Sequence, residues 1–160
     1  MADLTPVQVE EARDHFEIYD FNGEGKIDAF HLGDCIRSLN LRPTEHLIET
    51  LGGTKKPGEK KLTFEEFLPA YSQAKKDKDF GTLADFTEGF KVYDKLENGT
   101  MVMAELAHVL VSLGERMTDE AIEDVLKAHA GEEDEDGYIH YEPFIKGVLN
   151  GPFPKPAEEK

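Results

Sequence analysis

Oxygen-bearing side chains recur along these 160 residues at spacings that suit a divalent cation, and each set is broken at one or more places. Calcium takes roughly six to eight oxygens. A twelve-residue loop delivers them from positions 1, 3, 5, 7, 9 and 12, with glycine at 6 for the turn and a bidentate glutamate at 12. Residues 20–31 offer Asp20, Asn22, Glu24 and Asp28 at positions 1, 3, 5 and 9, Gly25 at the turn and the Lys26 carbonyl at 7. Position 12 is His31, whose ring carries no oxygen, so the expectation here is a weak, vestigial calcium site. Residues 55–66 begin with Lys55, put Pro57 at position 3 and Lys60 in the glycine's place, and keep Glu66 as the last ligand. No calcium is expected there. Residues 94–105 keep Asp94, Asn98, Gly99 and Glu105 but place Leu96 and Val102 at positions 3 and 9. Residues 132–143 are acidic at Glu132, Asp134 and Asp136, yet end on Pro143 with Glu142 one place early, which reads as a solvated acidic loop.

The elements that position these loops repeat with them. Each loop carries one apolar residue after its turn, namely Ile27, Leu62, Met101 and Ile139, and lies between amphipathic stretches. This is the helix–loop–helix plan of an EF-hand, in which adjacent loops pair as short antiparallel strands. Ile27 is expected opposite Leu62, and Met101 opposite Ile139. Thr5-Pro6 with Gln8, and Thr63 with Glu66, have the form of helix-starting capping boxes, and Thr118 begins a further helix. The stripe Leu32, Cys35, Ile36, Leu39 reads as one helix ended by Pro43. The predicted fold is all-α: a two-lobed, calmodulin-like EF-hand protein with four helix–loop–helix units paired two per lobe. Its expected parts are an N-terminal lobe at 1–74, a charged linker at 75–82, a C-terminal lobe at 83–150 and a proline-containing tail at 151–160.

Composition narrows the function. A formal charge of −16 repels nucleic acid and anionic membrane and favours a cationic partner. The apolar run at 109–111 is far short of the roughly 20 residues that span a bilayer. The start Met1-Ala2-Asp3-Leu4 lacks the basic and apolar regions of an export signal, and one cysteine, Cys35, forms no internal disulfide. A cytoplasmic protein is expected. His31 and Cys35 stand one helical turn apart, but Cys35 lies on an apolar stripe and no third group orients the pair, so no enzyme is expected.

The segment Leu51-Gly52-Gly53-Thr54-Lys55-Lys56, continuing through Leu62-Thr63-Phe64-Glu65-Glu66-Phe67-Leu68-Pro69, resembles the second unit of myosin essential (alkali) light chains. So do Glu97-Asn98-Gly99-Thr100-Met101, Ala104-Glu105-Leu106, and Leu113-Gly114-Glu115-Arg116-Met117-Thr118. The resemblance runs over nearly the whole chain. It implies a non-catalytic subunit wrapped on the IQ-motif helix of a myosin heavy chain, stiffening the lever arm beside a regulatory light chain in the same complex. It also implies a place in the myosin filament of muscle or cytoskeleton. No cofactor is required on this reading, and calcium is at most weakly held at the first loop. Candidates for a partner-helix groove are Phe86, Phe90, Leu106, Val109, Leu110, Leu113, Met117, Val125, Phe144 and Val148, a list that helical spacing alone does not separate from the lobe core. The alternative is a calcium sensor or buffer of the calmodulin or troponin C type, against which the broken ligand sets argue.

Overall fold

The computed structural model describes residues 3–78 and 81–151. The chain divides into two compact units, Met1–Phe80 and Gly81–Lys160. The first contains helix α1 (Pro6–Tyr19), strand β1 (Lys26–Asp28), a 3-10 turn (Ala29–His31), α2 (Leu32–Ser38), α3 (Glu45–Thr50), β2 (Lys61–Thr63) and α4 (Phe64–Lys76). The second contains α5 (Leu83–Lys91), β3 (Thr100–Val102), α6 (Met103–Ser112), α7 (Asp119–His129), β4 (Tyr138–His140) and α8 (Tyr141–Asn150).

Threonine starts most of these helices for one reason: its hydroxyl accepts a first-turn amide that has no partner inside the helix. Thr5 takes the Gln8 amide, Gln8 answers with its own side chain, and Pro6 fills the first position, where no N–H is needed. Thr63 and Glu66 form the same reciprocal pair at α4, and Thr82 and Asp85 at α5. Thr44 and Thr118 cap α3 and α7. The stripe expected to run as one helix to Pro43 stops at Ser38, where Asn40 turns the chain at φ 62°. Asparagine tolerates that left-handed geometry better than most side chains. Helix α3 follows it. The charged segment from residue 75 opens as the last turn of α4, with Lys75 and Lys76 at the negative end of the helix dipole and Lys76 paired to Asp3. Asp79, Phe80 and residues 152–160, in the expected linker and tail, lie outside the described residues.

Each unit is tied at its centre by a two-stranded ladder. Ile27 pairs with Leu62 and Met101 with Ile139, both antiparallel, in the register expected from the turn spacing. All four side chains are buried. Around the first ladder Phe16 packs edge-on to Phe64 at 5.4 Å, Phe67 stacks parallel to Tyr71, and Leu32, Cys35 and Ile36 are fully enclosed. Each such side chain contributes about 1.5–3 kcal/mol by burial. The second core is smaller: Met101, Leu106, Ile139, Tyr141, Phe144 and Ile145 form its centre, with Phe90 against Tyr141 and Phe144. Helix α5 contributes no fully buried side chain to it.

Gly25, Gly99 and Gly137 hold the turn position of three loops at φ 71°, 81° and 81°. Two places earlier in the loop, unit one has Gly23 at φ 66°, whereas unit two has Glu97 at φ 52°. A left-handed conformation costs a residue with a Cβ about 1–2 kcal/mol. Glu97→Gly should therefore stabilise the second unit by about 1 kcal/mol, after part of the gain is lost to a freer unfolded chain. Thermal unfolding followed in that unit checks it, and a lower midpoint would contradict it.

Candidate functional site

Most of the acidic groups in the four loops are held by the protein's own donors. In the first, Asp20 accepts the amides of Glu24 at 3.1 Å and Gly25 at 2.7 Å. Glu24 binds the Lys61 ammonium at 2.5 Å. Asp28 accepts the Phe30 amide at 3.0 Å and, across the ladder, the Gly58 amide at 2.6 Å. The Phe30 amide above all, helped by that of Gly58, holds the Asp28 carboxyl below its ordinary value against the opposing effect of burial. His31 at position 12 bonds Asp34 at 3.4 Å and lies among Phe21, Phe30 and Tyr19, with ring centres 5.1–6.1 Å away. Asn22 and Lys26 are exposed on the loop. This donor set does not fit a calcium ion: the twelfth position offers a nitrogen turned to a carboxylate, and Glu24 already has a cation.

The second loop has spent its last-position acid on folding, since Glu66 accepts the Thr63 amide at 2.9 Å as half of a capping box. Its backbone instead serves unit one, the Lys60 carbonyl accepting the Ala29 amide at 2.8 Å. In the third loop Asp94 is buried, and accepts the amides of Asn98 at 3.1 Å and Gly99 at 2.8 Å and the Tyr141 hydroxyl at 3.0 Å. Burial pushes its carboxyl up, but these donors together outweigh it and the net displacement is downward. Glu105 binds Lys95 at 2.6 Å. In the fourth, Asp134 accepts the Asp136 and Tyr138 amides, and Glu142 turns along α8 to Lys146 at 2.6 Å. Among the described residues no three His, Cys, Asp or Glu side chains form a group that could hold a metal.

Cys35 is fully buried, and enclosure followed by the nearby Asp34 charge pushes its thiol up to about 12. A thiol so protonated is no nucleophile at neutral pH, and His31 is bonded to Asp34.

The groove candidates separate by exposure. Leu106 and Phe144 are core, 0% and 4% exposed, because α6 and α8 turn them onto Met101 and Ile139; they are not available to a partner. Phe90, Leu110 and Val125 rest half-buried against that core. Phe86, Leu113 and Val148 are open, at 40%, 57% and 45% exposure. Val109 and Met117 are intermediate. A groove of about 400 Å³ runs along α6 between Tyr93, Ala104, His108, Val109 and Leu113.

Comparison with known proteins decides what these loops and surfaces belong to. The chain is 50% identical over 152 residues to the myosin light chain alkali of Drosophila virilis, covering 95% of this chain and 97% of that one. It is 47% identical over 131 residues to the adductor-muscle myosin essential light chain of Mizuhopecten yessoensis, covering 82% and 83%. It is 42% identical over 154 residues to human myosin light polypeptide 6, covering 94% and 100%. The chain belongs to the myosin essential (alkali) light chains. A scan against models of protein families gives no match. Among solved structures, MLC1P bound to IQ2 of Myo2p, a class V myosin, superposes with a TM-score of 0.70 at 30% identity, covering 86% of this chain and 96% of that one. The myosin II regulatory domain of Physarum polycephalum does so at 0.72 and 28%, covering 92% and 98%.

Three residues that shape the loops of this light chain escape sequence reasoning. Lys61 and Lys95 act through partners 37 and 10 residues away, and Tyr141 reaches Asp94 over 47. Nothing in local spacing marks them, although strand pairing places Lys61 opposite Asp28 once the register is known.

A depressed native carboxyl contributes stability that is complete above its unfolded value and is lost as pH falls through the native one. Asp94 is such a group. Tyr141→Phe removes one donor, so Asp94 should titrate closer to its ordinary value and the second unit should begin to unfold at a higher pH during acidification. Carboxyl NMR and circular dichroism measure the two effects; an unmoved Asp94 titration would show that the hydroxyl contributes nothing.

Proposed function

We propose that this light chain is a non-catalytic subunit of myosin that grips the IQ-motif helix of the heavy chain and stiffens the lever arm, supporting motor activity and contraction. Its place is the cytoplasmic myosin filament, beside a regulatory light chain. It needs no calcium to hold its partner. The observation that carries this reading is the groove along α6 lined by Tyr93, Val109 and Leu113, in a unit whose Phe86, Leu113 and Val148 are open to solvent. An apolar groove of this kind offers anchor points to an amphipathic helix. The net charge of −16 favours rapid encounter with a cationic helix.

The loops support the metal-independent reading. A calcium switch moves an equilibrium only by the difference in metal affinity between two states. Most loop carboxylates here are already bonded to amides and ammonium groups, which leaves little difference to exploit. The titration of a basic IQ-type peptide into the full chain, followed by fluorescence anisotropy, tests the proposal. Affinities with calcium and with chelator should agree within about twofold, and the double variant Leu113→Ser, Val148→Ser should weaken binding by about tenfold or more with its melting unchanged. A complex that dissociates in chelator would point to a calcium sensor instead.

A further inference from the structure

Two ion pairs occupy metal-ligand positions of the loops. In unit one, Lys61 reaches from β2 to Glu24 at ligand position 5, with Nζ 2.5 Å from Oε2. The strand register also places Lys61 opposite Asp28, at position 9. One lysine thus lies at two of the loop's acidic positions. In unit two, Lys95 binds one oxygen of Glu105, at ligand position 12, with Nζ 2.6 Å from Oε1. The other oxygen, Oε2, is buried and has no hydrogen-bond partner. A glutamate placed to chelate with both oxygens is using one, and the second is left as an unmatched acceptor in the loop.

We propose that Lys61 and Lys95 are resident counter-cations, each supplying the positive charge that its loop's carboxylates would otherwise draw from a divalent ion. Neutralising either lysine should raise the weak affinity of its loop for calcium or magnesium. The inference rests on the metal-independent reading of the loops and goes beyond it, because it names the groups that make metal unnecessary. The charge argument is direct. Carboxylates gathered in one loop repel one another unless a cation lies between them. A divalent ion entering beside an ammonium group must overcome the repulsion of two like charges a few ångströms apart. At the dielectric of a protein surface that repulsion lowers affinity by about tenfold or more. The lysines are half or more exposed, at 50% and 65%. Exposed pairs of this kind add little to folding, so the consequence appears in cation affinity rather than in the melting temperature.

Calcium titrated into the full chain, with the amide signals of Gly25 and Gly99 followed by NMR, reads each loop separately, since these glycines donate to Asp20 and Asp94. Lys61→Met should raise the affinity seen at Gly25 by about tenfold and leave Gly99 unchanged, and Lys95→Met should do the reverse. Lys61→Arg and Lys95→Arg, which keep the charge, should behave as the native chain. Methionine variants that bind no better than native would overturn the proposal, as would arginine variants that gain as much as methionine ones. A native chain that fills a loop at micromolar calcium is a separate result, and would overturn the metal-independent reading itself.

Discussion

Pairing of adjacent loops through one apolar residue each is the constraint on which the other features of this light chain depend. Ile27 against Leu62, and Met101 against Ile139, bring two loops side by side and put a buried contact at the centre of each unit. Once the ladder is formed, a helix leaves each loop on either side at a fixed angle, and the apolar stripes of those helices must meet over it. In unit one Phe16, Phe64, Phe67 and Tyr71 close an aromatic core, while Val7, Ile18 and Phe21 stay exposed. In unit two the buried core is smaller, and Phe86, Leu113 and Val148 stay exposed. The ladder is made of backbone and hydrocarbon alone. It survives the loss of metal ligands, which explains how the fold outlasts the chemistry for which its loops are shaped.

With metal no longer serving the carboxylates, the protein serves them itself. Turn amides take Asp20, Asp94 and Asp134, a neighbouring loop takes Asp28, a tyrosine hydroxyl reinforces Asp94, and lysines take Glu24 and Glu105. Glu66 has become a helix cap. Each interaction is modest in energy, but together they give the loops partners within the protein. On the proposed function, a subunit that grips a helix constantly would gain from loops held in this way, whereas a calcium sensor would be disabled by them.

Much of this was legible in the residues. The turn glycines and the apolar residue two places later set the strand register, because only one alignment puts Ile27 and Leu62 on the same buried face. The Thr5–Gln8 and Thr63–Glu66 pairs announced α1 and α4 through the chemistry of unpaired amides. The failures have physical causes as well. Helix α3 is required by the four-unit plan but its bounds are not legible, since its six residues give too little periodicity even though Thr44, Glu45, Leu47 and Ile48 carry a cap and a short stripe. Leu106 and Phe144 entered the groove list because a buried face and a binding face share the same helical spacing, and only packing separates them. Lys61, Lys95 and Tyr141 act at long range, and their partners exist only after the chain has folded.

Calorimetric titration of the full chain with calcium at near-physiological magnesium tests the central claim most directly, which is that the loops keep their shape without metal. The account predicts no binding in the micromolar range and no new exposure of apolar surface. Micromolar binding at two or more sites, accompanied by such exposure, would contradict it.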